Sequence, residues 1–225
     1  RHSGLEFPLD NITQGNSLGG VGGTRNCDWW ITDQAVLLDT AGRYTTQDSD
    51  QGYDARGWQN FLNLLRKNRK QQPINGVILV VGTDELLRMN DDQWAAYTRT
   101  VSARMKELTE QLQMEFPVYL FVTKVDLLAG CREFFESLDA DEQDQIWGTT
   151  LAPGSSLDAL QPELENLNRR LHQQLPSKLR YERDTKRRQA IYSFPWQMES
   201  VTSRLHGFVS DVFSRQGISE NAVFR

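Results

Sequence analysis

The sequence has few cysteines, no long apolar run and no excess of basic residues. Cys27 and Cys131 are the only cysteines in 225 residues, too few for a disulfide framework, so we expect a reducing compartment. The longest apolar run, VILVV at 77–81, is far shorter than the ~20 residues that cross a bilayer. The net charge of −5 argues against nucleic acid as a partner.

A phosphate-binding loop of the G-x-x-x-x-G-K-[S/T] type is also missing. Such a loop cradles the β- and γ-phosphates with backbone N–H groups and a lysine, but none of the six lysines here follows a glycine. Arg43 follows Gly42, at the place where Ras-like enzymes carry the glutamine that positions the attacking water. We therefore do not expect this chain, as written, to hydrolyse nucleotides.

Apolar runs alternate with helical patterns in the first half of the chain. CDWWIT and AVLLDT flank Asp33-Gln34 and predict a hairpin. INGVILVVGT and VYLFVT are continuous apolar runs, typical of strands covered on both faces. Amphipathic patterns predict helices at 53–70 and at 92–114, the second capped by Asp91 or Asp92. This order predicts an α/β fold: a mostly parallel sheet with helices on both faces and the hairpin as an antiparallel edge.

The strand patterns stop after residue 127. Residues 128–147 predict short helical segments, 156–182 a long helix broken near Pro176, and 195–215 one more helix. We therefore expect two domains, an α/β core at 1–127 and a helical extension at 128–225.

Two short motifs near the hairpin are typical of magnesium and phosphate binding. Asp39-Thr40-Ala41-Gly42 is a D-x-x-G sequence after a strand, in which Asp39 would hold Mg²⁺ and the N–H of Gly42 would bind the γ-phosphate. Thr24, in GGTRN, precedes the hairpin as the switch threonine of GTPases does. The same residues also fit a strand-ending turn and a solvated loop.

A third motif follows the later strand. Thr123-Lys124-Val125-Asp126 matches [N/T]-K-x-D, in which the aspartate accepts hydrogen bonds from guanine N1 and N2 and the lysine stem lies along the base. The alternative is a polar loop with Asp126 as a helix N-cap. Because both motifs follow strands in the expected order, we expect Asp39 and Asp126 to converge on one crevice at the carboxyl edge of the sheet.

Several longer segments together carry a family resemblance: GLEFPL, GGTRNCDWW, AVLLDTAGRYTTQDS, QPINGVI, VTKVDLL and FPWQ. The chain resembles, over nearly its whole length, the cytoplasmic domain of the TssM (IcmF-like) family, large inner-membrane proteins of bacterial type VI secretion systems. The resemblance implies a P-loop NTPase or small-GTPase-like fold on the cytoplasmic face of the inner membrane. Many members carry a Walker loop just before the segment similar to SGLEFPL. We therefore expect a fragment that lacks the first strand, the phosphate loop and a late strand.

The resemblance also assigns roles to individual residues. Thr24 and Asp39 match the family's Mg²⁺ positions, Gly42 its γ-phosphate contact, and Thr123, Lys124 and Asp126 its base-recognition motif. No catalytic residue is assigned. The resemblance implies Mg²⁺ and GTP for the full-length protein, and we expect no cofactor for this fragment.

Two functions are consistent with this resemblance. In the first, the domain is an assembly and docking module that recruits TssL and TssK-like baseplate components, with TssJ joined through the full-length protein. In the second, the full-length protein hydrolyses GTP or ATP to power assembly or gating. The stretch KLRYERDTKRR at 178–188, with six basic and two acidic residues, either faces anionic headgroups or a partner, or is a solvated helix end.

Overall fold

The computed structural model describes residues 28–40, 51–152 and 155–213, and in 51–56 the backbone alone. The chain divides into two compact units, Arg1–Leu64 and Leu65–Arg225. Thr24, Gly42 and Cys27 lie outside the described residues.

The described residues form four strands and seven α-helices. The strands are β1 (Asp28–Ile31), β2 (Val36–Asp39), β3 (Val77–Gly82) and β4 (Val118–Thr123). The helices are α1 (Gln51–Asn68), α2 (Thr83–Arg88), α3 (Asp91–Leu112), α4 (Cys131–Phe135), α5 (Ala140–Gln143), α6 (Leu160–Tyr181) and α7 (Thr185–Phe213). Short 3₁₀ turns span Val125–Leu127 and Leu157–Ala159.

The predicted hairpin is confirmed in the first unit. Strands β1 and β2 pair antiparallel, with Ile31 opposite Val36 next to the turn. The hydroxyl of Thr32 accepts the backbone N–H of Ala35 at 2.9 Å and that of Gln34 at 3.2 Å, so one buried side chain holds the turn. Among the described residues these two strands form a two-stranded sheet separate from β3–β4, which corrects the prediction that the hairpin is the antiparallel edge of the parallel sheet.

The second unit contains the parallel pair β3–β4, in register from Val77 with Val118 to Gly82 with Thr123. The α/β class and the parallel pairing are thereby confirmed, but within the described residues the pair is not covered on both faces as predicted. Ile78, Val80 and Phe121 share one face and are 46, 50 and 52% exposed. A continuous run of Val, Ile and Leu cannot distinguish a strand buried on both faces from one buried on a single face, because both faces are apolar.

Helix α7 is the centre of the helical region, in contact with α2, α3, α4 and α6. Phe208 is fully buried, 5.6 Å from the ring of Tyr97 and 6.1 Å from that of Trp94. At the same contact, the hydroxyl of Ser102 donates to the carbonyl of Val212 at 2.7 Å. The core of the described second unit therefore lies around one long helix.

Three helix boundaries differ from the prediction. Helix α6 continues through Pro176, and α7 begins at Thr185 and contains Pro195. Each proline removes one backbone hydrogen bond from its helix. The free energy lost is smaller than that gained when the apolar faces of α6 and α7 pack together. The N-cap of α3 is Asn90, whose side chain accepts the N–H of Gln93 at 2.9 Å. The short helices predicted within 128–147 are confirmed as α4 and α5.

Candidate functional site

The end of the parallel pair brings two polar segments together. Gly82 and Thr123 are register partners and the last residues of β3 and β4. The segments that follow, 83–85 and 124–126, therefore leave the sheet at the same edge, where open α/β sheets bind ligands.

Hydrogen bonds connect the two strand ends and the start of α2 at this edge. The buried hydroxyl of Thr83 donates to the carbonyl of Thr123 at 2.7 Å, joining the two strand ends. The carboxylate of Glu85 accepts the N–H of Gly82 at 3.1 Å and so caps α2. Burial raises the pKa of Tyr97 to about 12, and the negative charge of Glu85 contributes a smaller part of this increase.

Lys124 occupies the centre of the edge. Its backbone is left-handed, with φ 62°, a conformation uncommon for a side chain other than glycine and frequent at functional turns. Its ammonium group lies 2.9 and 3.0 Å from the two carboxylate oxygens of Asp84. The hydrogen bond from Lys124 holds the pKa of Asp84 below its ordinary value of 3.8. The ion pair thus fixes the direction of the lysine stem.

Asp126 lies within the 3₁₀ turn Val125–Leu127, whose N-cap is Lys124. The interpretation of Asp126 as an N-cap is therefore wrong. Its carboxylate lies 3.5 Å from the guanidinium of Arg132, and both side chains are more than half exposed. The negative charge of Asp126 adds to burial in raising the pKa of the Cys131 thiol to about 11. Asp126 can therefore accept hydrogen bonds from a ligand if Arg132 turns aside.

The remaining predicted site residues lie in the other unit or outside the described residues. Asp39 is the last residue of β2 and is exposed, in the unit Arg1–Leu64, whereas Thr123, Lys124 and Asp126 belong to the other unit. Thr24 and Gly42 lie outside the described residues. The convergence of Asp39 and Asp126 stays a prediction. Within the described ranges, no group of three or more His, Cys, Asp and Glu side chains is placed to hold a metal ion.

The basic stretch 178–188 comprises the end of α6, the turn that follows it and the start of α7. Arg187 donates to Glu182 at 2.8 Å and also to Glu136, and its hydrogen bond lowers the pKa of Glu182. Arg188 donates to two carbonyls, and Lys178 donates to Ser137 at 2.6 Å. Three of the six basic side chains therefore have hydrogen-bond partners in the described structure, but only the charge of Arg187 is paired with carboxylates.

Sequence reasoning missed Asp84, Glu85 and the whole of α2. A signal was present, because both VILVVG and VYLFVT are followed at once by polar residues, and parallel strands end at one edge. Pairing the two strand ends in the sequence would have brought Asp84 close to Lys124, whereas the T-K-x-D motif alone does not indicate this partner.

Together, the parallel pair with its polar carboxyl edge and the helices around α7 define an α/β domain with a large helical region. The chain belongs to the IcmF-related family, since the family model described as the IcmF-related N-terminal domain matches residues 51–225. It is similar to the type VI secretion system component TssM1 of Pseudomonas aeruginosa, at 43% identity over 230 residues. That alignment covers the whole chain but 21% of the relative, so the chain spans about a fifth of that protein. No solved structure matches.

The helices in the described part of the chain include none that is both long and apolar enough to span a membrane.

Proposed function

We propose that this chain is an assembly and docking module of a type VI secretion apparatus, on the cytoplasmic face of the inner membrane. The observation that carries the proposal is the family membership together with similarity to a type VI component along the whole chain. TssL and TssK-like baseplate components are the partners that we propose, with TssJ joined through the full-length protein.

The surface of the parallel pair supports a docking role. Ile78, Val80 and Phe121 lie side by side, and each is about half exposed. Contiguous exposed apolar surface is typical of protein contact sites, whereas isolated exposed apolar residues are ordinary. An apparatus protein that covers this face would bury it.

A binding experiment with surface variants tests the docking role. The full-length protein is immobilised, and purified TssL and a TssK-like component are passed over it. Phe121→Lys and Val80→Lys should weaken binding of one of them by about tenfold or more, because a charge then enters an apolar contact. The matched control is Ile146→Lys, at a 97% exposed position outside the sheet. Absence of binding by the unaltered protein would contradict the docking role itself, and equal binding by all variants would contradict the choice of face.

Guanine-nucleotide binding by the full-length protein is the second candidate function. The arrangement of Lys124 favours this function. The ion pair with Asp84 holds the stem of Lys124 over the strand edge, and Asp126 follows two residues later in the chain. These residues fit the edge of a guanine base: a carboxylate accepts two N–H groups, and an aliphatic stem covers a ring. When bound, Mg²⁺ would neutralise phosphate charge, with Asp39 and Thr24 as the proposed ligands.

A change of base preference tests this second function. Asp126→Asn in the full-length protein should lower guanine-nucleotide affinity by about tenfold or more and favour the xanthine nucleotide. The reason is that an amide N–H can pair with the C2 carbonyl that xanthine has in place of the guanine amino group. Asp144→Asn, an exposed carboxylate elsewhere, is the control. If the unaltered protein binds no guanine nucleotide, or if Asp126→Asn keeps the guanine preference, this function is contradicted.

A further inference from the structure

Positive charge is concentrated where α6 ends and α7 begins. Residues 178–188, which we call the tip, carry six basic and two acidic side chains. By contrast, residues 133–168 contain nine acidic residues and no basic one, and the whole chain has a net charge of −5. A charge distribution this uneven gives a protein a preferred orientation towards an anionic surface.

Most of the positive charge of the tip is not neutralised by the described residues. Arg187 pairs with the carboxylates of Glu182 and Glu136. Arg188 and Lys178 donate hydrogen bonds only to neutral groups, two backbone carbonyls and a serine hydroxyl, and these contacts leave their charges uncompensated. The charge of the tip is therefore available to an anionic partner.

The remaining three cations of the tip extend into solvent. Arg180, Arg183 and Lys186 are exposed, and among the described residues no ion pair joins them to a carboxylate. Asp184, the second acidic residue of the tip, accepts the backbone N–H of Arg187 at 2.9 Å. Like charges held this close repel one another, and an anionic surface would relieve that repulsion.

Exposed aromatic side chains accompany these cations. Tyr181 is 80% exposed, and its ring centroid lies 5.9 Å from the guanidinium carbon of Arg180. Arg188, Tyr192 and Trp196 follow one another at intervals of four residues, so they share one face of α7, and all three are exposed. Tyrosine and tryptophan, with an apolar ring and a polar end, are typical of the boundary between a bilayer and water.

We propose that the tip binds the surface of a bilayer that contains anionic phospholipids. The exposed cations contact lipid phosphates, each strengthening binding by about fivefold, and Tyr181 enters the headgroup layer. A bilayer is favoured over an acidic protein because the cations are accompanied by exposed tyrosine and tryptophan rings. The inference rests on the proposed position at the cytoplasmic face of the inner membrane and supplies a contact for it.

Vesicle flotation with the full chain tests the proposal. Vesicles of phosphatidylcholine alone are compared with vesicles in which about 30% of the lipid is phosphatidylglycerol. The chain should float with the anionic vesicles only. Raising the salt concentration from about 0.1 M to about 0.5 M should release it, because salt screens exposed charges.

Equal recovery with both kinds of vesicle, or no recovery with either, overturns the proposal. Tighter binding to polyglutamate than to the anionic vesicles would indicate an acidic protein partner and also overturns it. Binding of TssL and the TssK-like component is measured without lipid, so a failure of the docking role and a failure of this inference are distinguishable.

Variants locate the contact on the protein. Joint replacement by Arg183→Gln and Lys186→Gln should raise the dissociation constant for anionic vesicles by about tenfold or more, because two exposed cations are lost. The melting temperature should not change. Tyr181→Ser should weaken binding by about threefold.

The matched control removes the same charge at the end of α1. Lys67→Gln and Lys70→Gln, both at exposed positions, should together leave vesicle binding as it is in the unaltered chain. Equal affinity of the tip variants and this control overturns the assignment of the tip.

Discussion

The helical region around α7 and the parallel pair β3–β4 both carry apolar side chains, but these side chains are packed very differently. Helix α7 buries residues at intervals along its length, from Ile191 to Phe213. The parallel pair buries Val81 and Val118 on one side and leaves Ile78, Val80 and Phe121 about half exposed on the other.

This difference separates the source of stability from the source of recognition. Burial of apolar side chains is the main favourable contribution to folding, so the helical region holds the second unit together. The sheet supplies a polar edge at Asp84, Lys124 and Asp126, and an apolar face that remains open. Matched changes in these two regions test this difference.

The largest expected effect concerns two glycines. Gly130 has φ +84°, and an added Cβ would lie 2.1 Å from the carbonyl oxygen of Ala190 in α7. Gly130→Ala should therefore lower the free energy of unfolding by about 4 kcal/mol or more, because the backbone of α4 must move away from α7. Measurement is by urea denaturation.

Gly82→Ala at the sheet edge is the matched change. The added Cβ would meet the carboxylate side chains of Asp84, at 2.6 Å, and of Glu85, at 3.3 Å, rather than backbone, and the backbone φ is −77°. Gly82→Ala should lower the free energy of unfolding by less than about 1 kcal/mol. Equal losses of unfolding free energy in Gly130→Ala and Gly82→Ala would contradict the difference in packing between the helical region and the sheet edge.

A second comparison uses two phenylalanines. Phe208→Ala in α7 should cost about 3–5 kcal/mol, because a fully buried ring between Trp94 and Tyr97 is lost. Phe121→Ala on the open face of β4 should cost less than about 1.5 kcal/mol, from strand propensity and partial burial. Thermal and urea unfolding measure both. A cost at Phe121 comparable to that at Phe208 would mean that the sheet face is covered.

The thiol of Cys131 provides a third test. Burial first, and then the charges of Asp126 and Glu133, raise the pKa of this thiol from its ordinary value of 9.0 to about 11. In a Cys27→Ser background, alkylation by iodoacetamide at pH 8 should be about a hundredfold slower in the folded chain than in urea. Rapid alkylation without denaturant would contradict the packing of α4.

The smallest expected effect concerns the ion pair at the sheet edge. Lys124→Met should raise the pKa of Asp84 towards 3.8, because the lowering comes first from the hydrogen bond of Lys124. A lowered folded pKa means that Asp84 stabilises the fold above its unfolded pKa, and that this contribution is lost as the pH falls through the folded pKa. Carboxyl ¹³C shifts measure the titration.

Lys106→Met, which removes an exposed partner of Glu110, is the control and should leave the titration of Asp84 unchanged. An unchanged pKa of Asp84 in Lys124→Met would show that the ion pair does not form in solution.

Local patterns were sufficient to predict several elements. The hairpin followed from two apolar runs around Asp33-Gln34, and α3 from its periodicity. The parallel pair followed from two continuous apolar runs separated by a helix. The family was predicted from GGTRNCDWW, DTAGRYTTQDS and VTKVDLL, because such long segments are specific whereas D-x-x-G or T-K-x-D alone is common. The boundary at residue 127 and the convergence of Asp39 with Asp126 stay predictions.

The amino-acid sequence by itself determined the class of fold, the order of most elements and the family, because these depend on periodicity and on motifs within short segments. Only the tertiary structure decided which face of β3–β4 is covered, that α6 and α7 run through their prolines, and that Lys124 pairs with Asp84. Each of these depends on residues that are distant in the sequence and come into contact only when the strands pair and the helices pack.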